Sequence, residues 1–229
     1  MIRRVPALAA TALLSLALVA CGDDDDEATS TTLAPLATAP GTGTAPATSV
    51  AAPGAGTGNT APQTRDEQTF AGTLAEAAGG GDAVTYDVDA APLGAEVGLV
   101  VQAGQDDTTF VLSVSGLQAD RGYAVHAHVN PCGPTGDVAG PHFQHTPDPA
   151  ATPEQPSSDP EYANPDNEVW LDLTTDAEGA GEATATLPFT LEAGAPQSIV
   201  IHAGEMTMTE PGEAGTAGDR IACMTTPLG

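Results

Sequence analysis

From about Thr69 onward, apolar and β-branched residues come in short runs punctuated by Gly, Pro, Asp or Asn. Such runs occupy 83–89, 95–102, 108–114, 123–129, 169–174, 183–189 and 198–202. None sustains a period of 3.6, so no amphipathic helix is expected. Short strands at this spacing predict an all-β sandwich or barrel. One interval breaks the pattern, since 131–167 carries no strand signal. A loop of that length inside a packed domain is expected to be functional or held down by something.

Ahead of the strands the pattern dissolves. Residues 22–67 are dominated by Ala, Thr, Pro and Gly. Such a segment buries too little apolar area to offset its ordering entropy, and a disordered tether is expected. The four acids Asp23 to Asp26 read as a solvated charge run. Residues 1–20 pair Arg3 and Arg4 with an apolar stretch ending Leu18-Val19-Ala20-Cys21. This reads as a signal peptide with a lipobox, in which Cys21 is lipidated and starts the mature chain. The alternative is an ordinary secretory signal that happens to carry a cysteine. The expected organisation is a signal at 1–20, a tether at 22–67 and a folded domain at 68–229. Localisation would be the outer face of a bacterial cell membrane, through a lipid anchor.

Charge narrows the partners. The formal charge is −26, with five Lys+Arg against 31 Asp+Glu. Cleavage before Cys21 would remove Arg3 and Arg4 and take the charge to −28. Nucleic acid is excluded as a partner, and the membrane is reached only through lipid. The three cysteines are Cys21, Cys132 and Cys223. With Cys21 lipidated, two remain, the number for one disulfide in an oxidising compartment. Two unrelated thiols are the alternative.

Four of the five histidines lie between residues 126 and 145. On a strand, His126 and His128 would face the same side and could converge on one ion. His142 follows the turn formers Gly140-Pro141, and His202 ends the apolar run 198–202. Four imidazoles favour copper, or zinc, over iron–sulfur. Histidines exposed at the surface or satisfied in the core are the bland alternative.

The ordered set Gly122-Tyr123-Ala124-Val125-His126-Ala127-His128, Cys132, Gly140-Pro141-His142-Phe143, Ile201-His202-Ala203 and Gly215 to Cys223 resembles the copper/zinc superoxide dismutase family in its exported bacterial form. The resemblance covers roughly residues 69–229. It implies a Greek-key β-sandwich and copper held by His126, His128, His142 and His202. It also implies His142 as the imidazole shared with zinc, a Cys132–Cys223 disulfide, and Arg220 as the active-site arginine. The substrate implied is superoxide, converted to O2 and H2O2, with His142 passing a proton. A disulfide closing about 90 residues would contribute about 4–5 kcal/mol by loop-closure models.

The zinc half departs from the family. After His142 only His145 remains, closer than the family spacing, and there is no HxGD. His145 is thus a candidate zinc ligand without evident companions. Asp148, Asp159, Asp166 or Glu168 would either complete a site with it or orient His142. Copper alone is the simpler expectation. With so few cations, a slow and salt-sensitive rate is expected. The rival reading is a copper-binding or structural domain without dismutase activity. It draws on Met206 and Met208, whose thioethers suit Cu(I), although methionines so placed are more often apolar plugs. A surface adhesion module would need only the fold and leaves the His/Arg/Cys set without a cause. Oligomeric state is not readable.

Overall fold

A computed structural model of the protein describes residues 66–152, 154–191 and 195–228. The signal, Cys21 and nearly all of the tether lie outside the described residues. In chain order the strands are β1 (Asp66–Thr73), β2 (Ala75–Glu76), β3 (Ala83–Thr85), β4 (Glu96–Ala103), β5 (Thr108–Ser115) and β6 (Gly122–Tyr123). They continue as β7 (Val125–His128), β8 (Leu173–Thr174), β9 (Gly181–Leu187), β10 (Ser198–His202) and β11 (Arg220–Thr225). Only two short 3-10 turns, Ala77–Gly79 and Gly136–Ala139, break the all-β character of the described residues.

One antiparallel sheet runs β1-β4-β5-β9, and the other runs β2-β3-β11-β10-β7 with only β2 and β3 parallel. The chain passes repeatedly between them, so β3 and β11 are neighbours despite their sequence separation. Alternation along the strands makes the sandwich. Val97, Leu99 and Val101 of β4 and Phe110 and Leu112 of β5 meet Val125 and Ala127 of β7, Ile199 and Ile201 of β10, and Met224 of β11 in one buried cluster.

The other face of the second sheet positions the site. There Val84, Val200 and Cys223 pack with Ala139 under the loop that follows β7. Cys132 and Cys223 are disulfide-bonded, tying that loop to the central strand β11. The interval 131–167 is accordingly pinned down. Isolated bridges join His128 to His142 and Gln144 to Glu168. Asn167 binds Thr146 through both ends of its amide and also donates to Tyr162 O.

The strand pattern fails in instructive places. The run 83–89 stops at Thr85, because Asp87 Oδ1 accepts the N–H groups of Asp89 and Ala90 and turns the chain, leaving Val88 exposed. The run 123–129 splits at Ala124, whose N–H leaves for Gly204 O. Of 169–174 only Leu173–Thr174 is a strand. β1 has no apolar alternation, being an exposed edge held by its ladder to β4. β11 is buried at the sheet centre, yet only Ile221 and Thr225 are β-branched and Ala222, Cys223 and Met224 interrupt them.

The bridge spans a sequence separation of 91 residues. Replacing Cys132 and Cys223 together by Ser should lower unfolding free energy by about 4–5 kcal/mol. Denaturant midpoints of the two proteins measure this, and a change near zero would show that the loop is held by its other contacts.

Candidate metal centre

Strand geometry brings the histidines together. His126 and His128 lie two apart on β7 and face away from the core shared by Val125 and Ala127. In the β7–β10 register Val200 pairs with His126 and Ser198 with His128, and His202 lies beyond, its N–H bonded to Ala124 O. His142 arrives from the loop, with its neighbour Phe143 donating to Ala127 O. One ring nitrogen from each of His126, His128, His142 and His202 lies within 4.8 Å of the others. His126, His128 and His202 are buried, while His142 retains some exposure.

Each ring's outer nitrogen has a partner that decides its tautomer. His128 Nδ1 faces Gly140 O at 2.9 Å, and His202 Nδ1 faces Gly218 O at 3.2 Å. A carbonyl only accepts, so both Nδ1 atoms carry the proton and both Nε2 atoms turn bare lone pairs inward. Gly140 and Gly218 have φ of 74° and 78°, the left-handed region that favours glycine. A side chain at Gly140 would also strike Asn130 and Val129. His126 Nε2 meets Thr207 Oγ1 at 2.6 Å, and that hydroxyl donates to Asp172 Oδ1 at 2.8 Å. Thr207 therefore accepts from His126 Nε2–H, leaving Nδ1 bare and inward. His142 Nδ1 lies 3.0 Å from Glu168 Oε2. Glu168 is buried and also accepts from Trp170 Nε1 and Gln144 Nε2, each at 2.8 Å.

The result is a set of facing acceptors. His126 Nδ1 is 3.0 Å from His142 Nε2, and His128 Nε2 is 3.3 Å from His202 Nε2, with no proton assigned between either pair. Lone pairs so close repel, and a cation among them turns the repulsion into ligation. Four imidazole donors suit copper. Burial, and then the neighbouring charge of His142, drives His126 and His128 well below their ordinary pKa and His202 to about 3. Arg220 adds to this in all three. The rings are thus held neutral, the form a metal needs.

Arg220 starts β11 and is half-buried, its Nη1 donating to Gly136 O at 2.8 Å in the loop beyond Cys132. Burial lowers its pKa, while Asp137 and Tyr86 act the other way. The ladder shifts here: Ile201 pairs with Ala222 but His202 with Arg220, leaving Ile221 as a bulge. That extra residue brings Arg220 level with His202 in the ladder.

His145 does not join these residues. It is exposed and stacks on Phe189, ring centroids 3.9 Å apart. Among the described residues no second group of potential ligands forms around it. Asp148 and Asp159 serve turns, accepting from Ala150 N and Glu161 N. At Asp166 the backbone N–H is bound by Asn164 Oδ1. Of the four acids left open by spacing, Glu168 is the one placed on His142. Thr207 and Asp172 were missed by sequence reasoning. A hydroxyl and an acid 35 residues apart carry no spacing signal.

The folded pKa values set a pH dependence. Between about pH 6.5, where an unfolded histidine takes up its proton, and about pH 3 for His202, the unfolded metal-free chain binds more protons than the folded one. Stability of the metal-free protein should therefore fall on acidification through that window, by up to about 1.4 kcal/mol per pH unit for each depressed histidine. Thermal or urea unfolding from pH 7 to 4 measures this. A flat profile would mean that the rings are not held neutral by burial.

Comparison with known proteins gives the following. The family model described as "Copper/zinc superoxide dismutase (SODC)" matches residues 95–225. Among solved structures, "Cu/Zn superoxide dismutase from Brucella abortus" is similar at 19% identity and a TM-score of 0.46, over 70% of this chain and 100% of that one. No curated protein matches. The family match spans more than half of the sequence, including the four clustered histidines, both bridged cysteines and Arg220, and the chain belongs to the copper/zinc superoxide dismutase family.

Proposed function

We propose that the protein is a copper-dependent superoxide dismutase, exported and anchored through lipid on Cys21, and that it works with copper alone. The observation that carries this reading is the pair of roles in the cluster: four inward bare nitrogens, with a carboxylate rather than a second metal on the outer nitrogen of His142. His126, His128, His142 and His202 would hold copper, which supplies one-electron redox exchange with superoxide. The overall conversion takes two superoxide anions and two protons to O2 and H2O2. A disulfide between Cys132 and Cys223 suits an oxidising compartment and supports export.

The chain's own groups handle the anion and the protons. Arg220 is one of two cations in the described residues, the other being Arg121, which is occupied with Gln118 and Ala203 O. Its guanidinium is fixed by Gly136 O and can hold superoxide through charge-assisted hydrogen bonds. His142, the ring of the cluster with some exposure, exchanges protons with solvent. Glu168 holds the proton on Nδ1, so Nε2 is the atom that would carry a proton whenever it is not holding copper. Glu168 also stabilises the imidazolium formed in that exchange. Thr207, backed by Asp172, holds His126 in the tautomer that ligation requires.

The full chain loaded with copper should remove superoxide, and His126→Ala should reduce this to background. Metal analysis should give copper without zinc. Copper uptake without superoxide removal would overturn the enzymatic reading and leave a copper-holding domain. Arg220→Ala should lower kcat/KM about tenfold or more, the loss of one charge-assisted hydrogen bond. Added salt should speed the wild-type reaction by screening the net negative charge of the chain. Insensitivity to both changes would remove the steering argument. Glu168→Gln should lower activity about 10–100-fold and alter its pH profile. Unchanged kinetics in that variant would show that His142 needs no carboxylate.

A further inference from the structure

The segment between β10 and β11 has an inside and an outside. On the inside, Thr207 is buried, its N–H donating to Asp172 Oδ2 at 2.7 Å and its hydroxyl touching His126 Nε2. On the outside, its neighbours Met206 and Met208 are 66% and 40% exposed. The alternation exposed–buried–exposed sets both thioethers on the side of the chain away from Thr207. They are not the apolar plugs that the sequence favoured. Met224, by comparison, lies in the core at 2% exposure.

The backbone that presents them is ordered by hydrogen bonds. Met208 N donates to Thr216 O and Met208 O accepts from Gly215 N, both at 2.9 Å. Gly215, so paired, abuts the cluster, since a Cβ there would stand 3.7 Å from His142 Nδ1. The methionines therefore sit on a braced loop whose inner surface touches two rings of the cluster. With 66% of Met206 and 40% of Met208 in solvent, both side chains can be reached from outside.

We propose that Met206 and Met208 form a Cu(I)-binding site on the outer surface of this loop, from which the histidine cluster is filled. The proposal rests on the copper reading above. Thioethers are neutral, soft donors that take Cu(I) and pass over zinc, magnesium and calcium, which prefer imidazole or oxygen. The exposed acids Glu205, Glu210 and Glu213 on the same segment raise the local concentration of any cation without supplying the selectivity. The four imidazoles of the cluster outnumber two thioethers, so transfer inward runs downhill.

The test uses the full metal-free chain under anaerobic conditions, with isotopically labelled methionine methyls and Cu(I) added alone. Methyl signals of Met206 and Met208, assigned through Met206→Leu and Met208→Leu, should shift, and that of Met224 should not. Leucine preserves volume at these exposed positions, so the variants keep the fold. The double variant should bind one equivalent of Cu(I) fewer. Its cluster should fill roughly tenfold more slowly, as expected when an ion is no longer held beside its destination. Unmoved methyls beside a cluster that fills and removes superoxide would overturn this inference alone. An unchanged Cu(I) equivalence in the double variant would overturn it too. A cluster that takes no copper would overturn both the loading role and the dismutase reading.

Discussion

Bare nitrogens 3.0 and 3.3 Å apart in a largely buried cluster repel one another, and this protein is arranged around holding them there. The restraint comes from outside the cluster: two carbonyls at left-handed glycines, a threonine leaning on an aspartate, and a glutamate braced by an indole and an amide. Each of these partners selects a tautomer as well as an orientation. Burial then keeps His126, His128 and His202 neutral. The two effects act together, because a neutral ring with the wrong nitrogen protonated would be no ligand at all.

That dependence explains why the domain has so much ordered loop. A sandwich supplies only β7 and β10, which bring His126, His128 and His202 to one face. The fourth ring and most of the outer partners must arrive on connections. Turns built by Asp148, Asp159 and Asn164 shape the long connection, and the Asn167 amide ties its end back to Thr146 in its middle, beside Glu168. Asp148 and Asp159 resemble ligands in sequence but accept from the backbone N–H groups of Ala150 and Glu161 and from the Ser157 hydroxyl. Without that internal bonding the strap holding Glu168 would have no defined path.

How much of this could be read from the chain depended on period and spacing. The interior strands announced themselves through β-branched runs, and the pair His126 and His128 through a spacing of two. β1 and β11 were silent for opposite reasons, one being too exposed to alternate and the other having Ala222, Cys223 and Met224 between its two β-branched residues. The family resemblance supplied Arg220, which no local pattern links to β7. It could not choose among four acids for the place beside His142, because that choice is made by a bridge between Gln144 and Glu168. Nor could it find Thr207 and Asp172, which meet through tertiary packing alone.

The bridge between Cys132 and Cys223 has a further meaning in time. Arg220 lies three residues before one of its cysteines, and its carbonyl anchor, Gly136, lies four residues after the other. Both ends of the arginine's grip are therefore stapled by the same covalent bond. A newly made chain that still carries thiols lacks that staple, so the anion-holding group gains its covalent frame only after the chain meets an oxidant. Maturation of the arginine is thus coupled to the redox state of its surroundings, and oxidation becomes a checkpoint written into the fold.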